Sequence, residues 1–116
     1  MELTSFFDQL SHSPQSIEFS QTMAAIDANY EFTPTEFHNG NVINQAGQNN
    51  GSCKIFAFAK HHQLTPEATL ACFGQYYRQD VLGNPDGDDH ANIRNFMQFG
   101  WDGISFETSP LAEKAK

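Results

Sequence analysis

Basic residues are scarce: six Lys and Arg stand against fourteen Asp and Glu in 116 residues, and the six are scattered. The resulting formal charge of −8 argues against docking on a nucleic-acid backbone or an anionic membrane surface, because both need a concentrated positive footprint. Long apolar runs are missing too. Nothing approaches the roughly 20 residues that span a bilayer, and the first residues lack the basic start and apolar stretch of a secretory signal. The expectation is a soluble chain that does not use the general export route. Cysteine is limited to Cys53 and Cys72, which lack C-x-x-C spacing. The common redox and zinc frameworks are thereby removed, and the two read as free thiols in a reducing cytoplasm. Burial in the core suits both, since free Cys is among the most buried residue types.

Aromatic residues are plentiful, with eleven Phe, three Tyr and one Trp. Each such side chain hides roughly 150–250 Å² when buried. A chain of this length covers about two thirds of its unfolded surface on folding. One monomeric domain over residues 1–110 is therefore expected, followed by a frayed tail at 111–116 that carries no apolar pattern.

Periodicity places the elements. Phe6, Phe7 and Leu10 share one side of a short helix that ends before Pro14, and Met23, Ile26 and Tyr30 mark a second helix over 20–29 with Ser20 as its cap. Residues 30–37, rich in Phe and Thr around Pro34, favour an extended edge strand. Asn39-Gly40 then supplies a hairpin turn into Val42 and Ile43, and Ile104 to Phe106 offers a third strand. Residues 52–62 are apolar on every side, and their length and alanines favour a buried helix. Thr65, Pro66 and Glu67 provide a cap, a first-turn proline and an acid for a long helix reaching Leu82, where Gly83 and Pro85 stop it. A last helix follows, capped by Asp88 or Asp89 and carrying Ile93, Phe96 and Met97. It closes at Gly100, with Trp101 folded back on Phe96. The sum is a compact, mainly helical α+β domain with a small two- or three-stranded antiparallel sheet at one edge.

The candidate site is the amide-rich stretch 44–53, which runs directly into the apolar helix. Gln48, Asn49, Asn50, Gly51 and Ser52 form a candidate polar binding loop, and the simplest structure for it is a turn whose amides bond one another. At a helix entry, the dipole and unpaired N–H groups lower a thiol pKa and can hold an oxyanion. Cys53 is therefore a candidate nucleophile, with His90 as base, Asp89 as its orienting acid and Gln48 as an oxyanion donor. Core packing of Cys53 and capping by Asp89 are the plainer roles. Neighbours on a helix point about 100° apart, which works against Asp89 steering His90. No metal site is expected. Cys53 and His61 would lie about 12 Å apart on one helix, and the calcium-loop imitation starting at Asn84 and Asp86 has Asp89 where glycine is required. No cofactor motif is present. A third use of the chain is a protein interface built on Tyr76, Tyr77 and Trp101, should they share an exposed patch.

Taken together, residues 17–19, 22–27, 30–40, 44–59, 69–82 and 89–96, with Gly100-Trp101, resemble the HopJ family, most distinctively across 47–54. The resemblance spans Phe6 to Phe106. It implies an effector of unknown biochemical activity, delivered by type III secretion and working through a host or bacterial protein partner, and it supplies no catalytic residues. Effector leaders favour Ser and an early aliphatic residue, which Leu3 matches, whereas Glu2 and Asp8 depart from that composition. Two locations stay open, the bacterial cytoplasm and a host cell. A small cysteine-dependent hydrolase or acyltransferase stays open as an alternative.

Overall fold

The computed structural model describes residues 3–114. Its elements are α1 (Leu3–His12), α2 (Phe19–Asn29), β1 (Tyr30–Phe32), β2 (Phe37–Asn39), β3 (Val42–Asn44), α3 (Asn50–His61), α4 (Pro66–Ala71), a π-helical turn (Tyr76–Val81), α5 (Ala91–Phe99), β4 (Ile104–Phe106) and β5 (Leu111–Glu113). The architecture is α+β, mainly helical, with small antiparallel sheets.

The apolar segment forms α3, whose middle is enclosed: Cys53, Ile55, Phe56, Phe58 and Ala59 are all buried. Two residues along a helix is a rotation of about 200°, so Phe56 and Phe58 face opposite ways and each organises its own aromatic group. Phe56 meets Phe96 at 5.0 Å, Phe73 at 5.4 Å and Phe37 at 6.2 Å between ring centroids. Phe58 meets Phe7 at 5.6 Å, Phe6 at 5.9 Å and Tyr30 at 6.0 Å. These rings fasten α1 and β1 to one flank of α3, and β2 and α5 to the other.

Several expectations about local structure shift. The strand foreseen across 30–37 splits at Pro34 into β1 and β2, which belong to different sheets. β2 takes the centre of the order β3-β2-β4, because β4 pairs with it from the far side of the hairpin. Gly40, the first of two loop residues, adopts φ +63°, and a Cβ there would overlap the Phe99 ring. The tail was expected to fray from residue 111, yet Leu111 to Glu113 pair with β1, and the Lys114 N–H donates to Asn29 O at 3.1 Å. Backbone pairing with β1, rather than an apolar pattern, orders this segment; residues 115–116 of that expected tail lie outside the described residues. The cap of α2 falls at Glu18 rather than Ser20, since the Gln21 side chain accepts the Glu18 N–H at 2.9 Å.

The largest departure is the helix expected over 65–82. Thr65 does cap it, accepting the Ala68 N–H at 3.1 Å, but α4 ends at Ala71 and Gly74 turns to φ +63°. A Cβ at Gly74 would strike the backbone of Glu18 and Phe19. Glycine here permits both a positive φ at little cost and a close chain crossing. The break is satisfied by α2: Thr22 Oγ1 donates to Cys72 O at 2.7 Å, and the Phe19 N–H donates to Gln75 Oε1 at 3.1 Å. The chain resumes as a π turn, in which the Leu82 N–H reaches Tyr77 O at 3.0 Å.

Two measurements check this core. Phe56→Ala should cost about 3–5 kcal/mol in urea unfolding, as for other large-to-small aromatic changes in cores. A loss below about 1 kcal/mol would contradict its central place. His62 Nε2 lies 2.6 Å from Tyr30 Oη, with Phe7 and Phe58 rings at 4.9 and 4.8 Å. Burial holds its pKa below the ordinary 6.5, His61 adds to the lowering, and Glu113 opposes it. Below 6.5 the unfolded chain therefore binds more protons at this site than the fold does. The contribution is complete above the unfolded value and is lost as pH falls toward the lowered one. Unfolding midpoints should decline from pH 7.5 to 5.5, and His62→Gln should flatten part of that decline.

Candidate functional site

Two helices begin at one cleft. α3 starts from Asn49 at φ 51° and ψ 48°, and α5 starts from His90 at φ 51° and ψ 49°, both in the left-handed region and neither with a side-chain cap. Non-glycine residues there cost about 1–2 kcal/mol each, with Asn among the more tolerant. The first turn-closing bonds are the Cys53 N–H to Asn49 O at 3.0 Å and the Arg94 N–H to His90 O at 3.1 Å. The positive ends of both helix dipoles therefore border the same space. That cleft has a volume of about 330 Å³ and is lined by Asn49, Gly51 and Ser52 from α3, His90 to Ile93 at α5, Phe19, Val42, Phe73 and Tyr76.

Buried carboxamides hold the two helix starts in place. Asn92 Nδ2 donates to Asn44 Oδ1 at 3.0 Å, while Asn92 Oδ1 accepts from Asn44 Nδ2 at 3.1 Å and Asn39 Nδ2 at 3.1 Å. Asn49 Nδ2 donates to Asn44 Oδ1 at 2.7 Å, which ties the α3 start to the same cluster. Asn95 Nδ2 donates to Asn39 O at 3.0 Å. The hairpin, α3 and α5 are thus joined through one polar knot inside the protein. Asn39 Oδ1 is its single buried side-chain acceptor without a partner among the described residues. Sequence reasoning missed this knot, because five asparagines spread over 39–95 show no common period.

The structure distributes the candidate residues unevenly. Of the polar loop, Asn49, Gly51 and Ser52 reach the cleft, while Gln48 and Asn50 do not line it. Gln48 closes the loop on itself: its N–H donates to Gln45 O at 2.9 Å, and its Oε1 accepts the Gln45 N–H at 3.1 Å. That last bond uses its side-chain oxygen, and the residue does not line the cleft, so Gln48 is not placed there as an oxyanion donor. Cys53 is 1% exposed and takes no part in the cleft lining. Burial pushes its thiol up to about 11, against a weaker opposing pull from the Thr35 backbone, so the sulfur faces the β1–β2 connection. A helix-entry position lowers a thiol pKa only where the sulfur meets the N–H groups; here burial outweighs the Thr35 backbone and raises it.

His90 does line the cleft, but with a different acid. Its Nε2 lies 3.0 Å from Asp80 Oδ2 and 4.0 Å from Asp89 Oδ2. Asp89 belongs to Arg94, whose Nη2 donates to Oδ1 at 2.6 Å and whose Nε donates to Asp89 O at 2.6 Å. That hydrogen bond holds the Asp89 carboxyl below its usual range. The cap of α5 is His90 itself, rather than Asp88 or Asp89. The His90 ring stacks on Tyr76 at 5.3 Å, and Tyr76 meets Phe19 at 4.9 Å. Asp80 escaped the sequence reading, although its spacing of four from Tyr76 was visible. Tyr76 and Trp101 do not form one patch: Trp101 packs on Phe96 at 5.0 Å and donates to Leu64 O at 3.1 Å.

Among the described residues no group of three or more His, Cys, Asp or Glu is placed to hold a metal ion. No described helix is long and apolar enough to cross a membrane. The cleft thus offers hydrogen bonding, ring stacking and a His–Asp pair, without an exposed thiol.

This chain belongs to the HopJ family: the family described as HopJ type III effector protein matches residues 3–111. No curated protein matches the chain. Among solved structures, the crystal structure of unknown function protein VPA0580 is similar at 60% identity with a TM-score of 0.96, covering 98% of this chain and 95% of that one.

Both thiols should behave as core groups. Burial also raises Cys72, to about 12, so a small alkylating reagent at neutral pH should label the two equally slowly and label both rapidly in urea. Selective native labelling of Cys53 would restore the nucleophile reading.

Proposed function

We propose that this type III effector-like protein acts by non-covalent recognition of a partner protein at the cleft between α3, α5 and the π turn. One observation carries the reading: Asn49, Ser52, Tyr76 and His90 converge on the cleft while the neighbouring thiol turns away from it. Polar groups fixed on rigid helix ends around an aromatic wall suit recognition, in which a few anchors supply most of the binding energy. Acyl transfer would need an activated nucleophile beside its base, and the raised Cys53 thiol offers none. The partner resides in a host cell or in the bacterium, according to whether the chain is delivered.

A photo-crosslinking amino acid placed at position 52 should give a discrete protein adduct in infected host cells or in the producing bacterium. Tyr76→Ala combined with His90→Ala should reduce that adduct at least about tenfold, the scale of losing a binding anchor. Absence of an adduct in both settings overturns the reading. Fusing residues 1–50 to a translocation reporter separates the two locations, because export failure leaves only a resident role.

A further inference from the structure

The free edge of the three-stranded sheet runs beside the cleft. The Gly40 N–H donates to Gly103 O at 2.9 Å and the Glu107 N–H to Glu36 O at 3.1 Å. Bonding direction alternates along a strand, so residues 36, 38 and 40 turn their backbone groups toward β4, and residues 37 and 39 turn theirs toward β3. His38 and Ile43 are therefore opposed without bonding. The N–H and C=O of Ile43 point off the outer edge of β3, the terminal strand of its sheet. The Ile43 side chain is 57% exposed, the highest among the exposed large hydrophobic residues described. Its neighbour Val42 points to the other face and lines the cleft with Asn49 and His90. A strand laid on this edge would set alternate side chains over Ile43 and into the cleft.

Charge selects the occupant. Asp80 and Asp89 flank His90 at 3.0 and 4.0 Å, Asp86 and Asp88 lie in the preceding loop, and the whole chain carries −8. Arg94 answers Asp89, and among the described residues no carboxylate lines the cleft itself, so the acidic charge stands outside it, on the π turn and the loop before His90. Potentials of this sign favour a basic partner and disfavour an acidic one.

We propose that β3 is a docking edge for an extended, basic segment of a partner protein, which pairs with the Ile43 backbone and carries its Lys or Arg side chains toward the carboxylates around Asp80, beyond His90 at the cleft rim and outside the two helix starts. The inference rests on the recognition reading above and adds to it the conformation and charge of what is recognised.

The full chain would be mixed with short synthetic peptides alternating Val and Lys, with alternating Val and Glu as the control. The Val-Lys peptide should slow amide exchange at Ile43 at least about tenfold, and the Val-Glu peptide should not. N-methylation of the Val-Lys peptide at all Val or at all Lys amides should abolish binding in one case and spare it in the other, since only alternate amides face the edge. Ile43→Pro removes the outward N–H without touching a bond to β2, and should abolish binding while unfolding stays cooperative; if that variant fails to fold, the N-methylated pair decides alone. Binding that is weakened by His90→Ala but leaves Ile43 exchange unchanged, or protects residues 104–106 instead, overturns the docking edge and leaves cleft recognition standing. No binding by the Val-Lys peptide also overturns the edge, and the crosslink at position 52 then reports separately on the recognition reading.

Discussion

The structure depends on hiding the apolar middle of α3, Cys53 and Ile55 to Ala59. A segment apolar all round has no solvent face, so everything else must be arranged to cover it. Phe56 and Phe58, about half a turn apart in direction, divide that cover into two aromatic groups. One gathers Phe37, Phe73 and Phe96 from the central strand, the α4 exit and α5. The other gathers Phe6, Phe7 and Tyr30 from α1 and β1. Neither group comes from one stretch of chain, which makes the fold a wrapping of distant segments around one axis.

A second constraint is polar. Asn39, Asn44 and Asn92 are buried, and burying a carboxamide is costly unless it is bonded. Apart from Asn39 Oδ1, their mutual bonds meet that demand only when the hairpin, the α3 entry and the α5 entry stand in one arrangement. The knot thus does for position what the aromatic groups do for stability. Leaving both helices without side-chain caps, it sets their first turns against the same cleft.

The break at Gly74 connects packing to the cleft. An unbroken helix from Thr65 would have carried Tyr76 and Asp80 along the axis of α4. Left-handed backbone at Gly74, a close crossing by Glu18 and Phe19, and the π turn beyond redirect both residues toward His90. π-helical turns recur at functional sites because they re-aim a short stretch without ending it. Here the re-aimed pair supplies a stacking face and the carboxylate that orients the imidazole.

Local chemistry written in the chain was enough for α1, α3, the Thr65-Pro66 start, the Gly40 turn, β4 and the fold-back of Trp101 on Phe96, because each depends on periodicity or on residues a few positions apart. Of the loop 44–53, Asn49, Gly51 and Ser52 border the candidate cleft. Which of Ser52 and Cys53 would face it was not legible: adjacent helical residues differ by about 100°, and only the packing of α3 fixes the rotation. The acid beside His90, the interruption at Gly74 and the pairing of Leu111 with Phe32 were hidden for the same reason, since each is decided by a segment distant in sequence that supplies the missing bond or forbids a side chain. The sequence by itself determined an aromatic-rich α+β domain with a buried central helix and a polar entry loop. Tertiary structure alone decided what that loop faces, because direction in space is set by long-range contacts that carry no local signature.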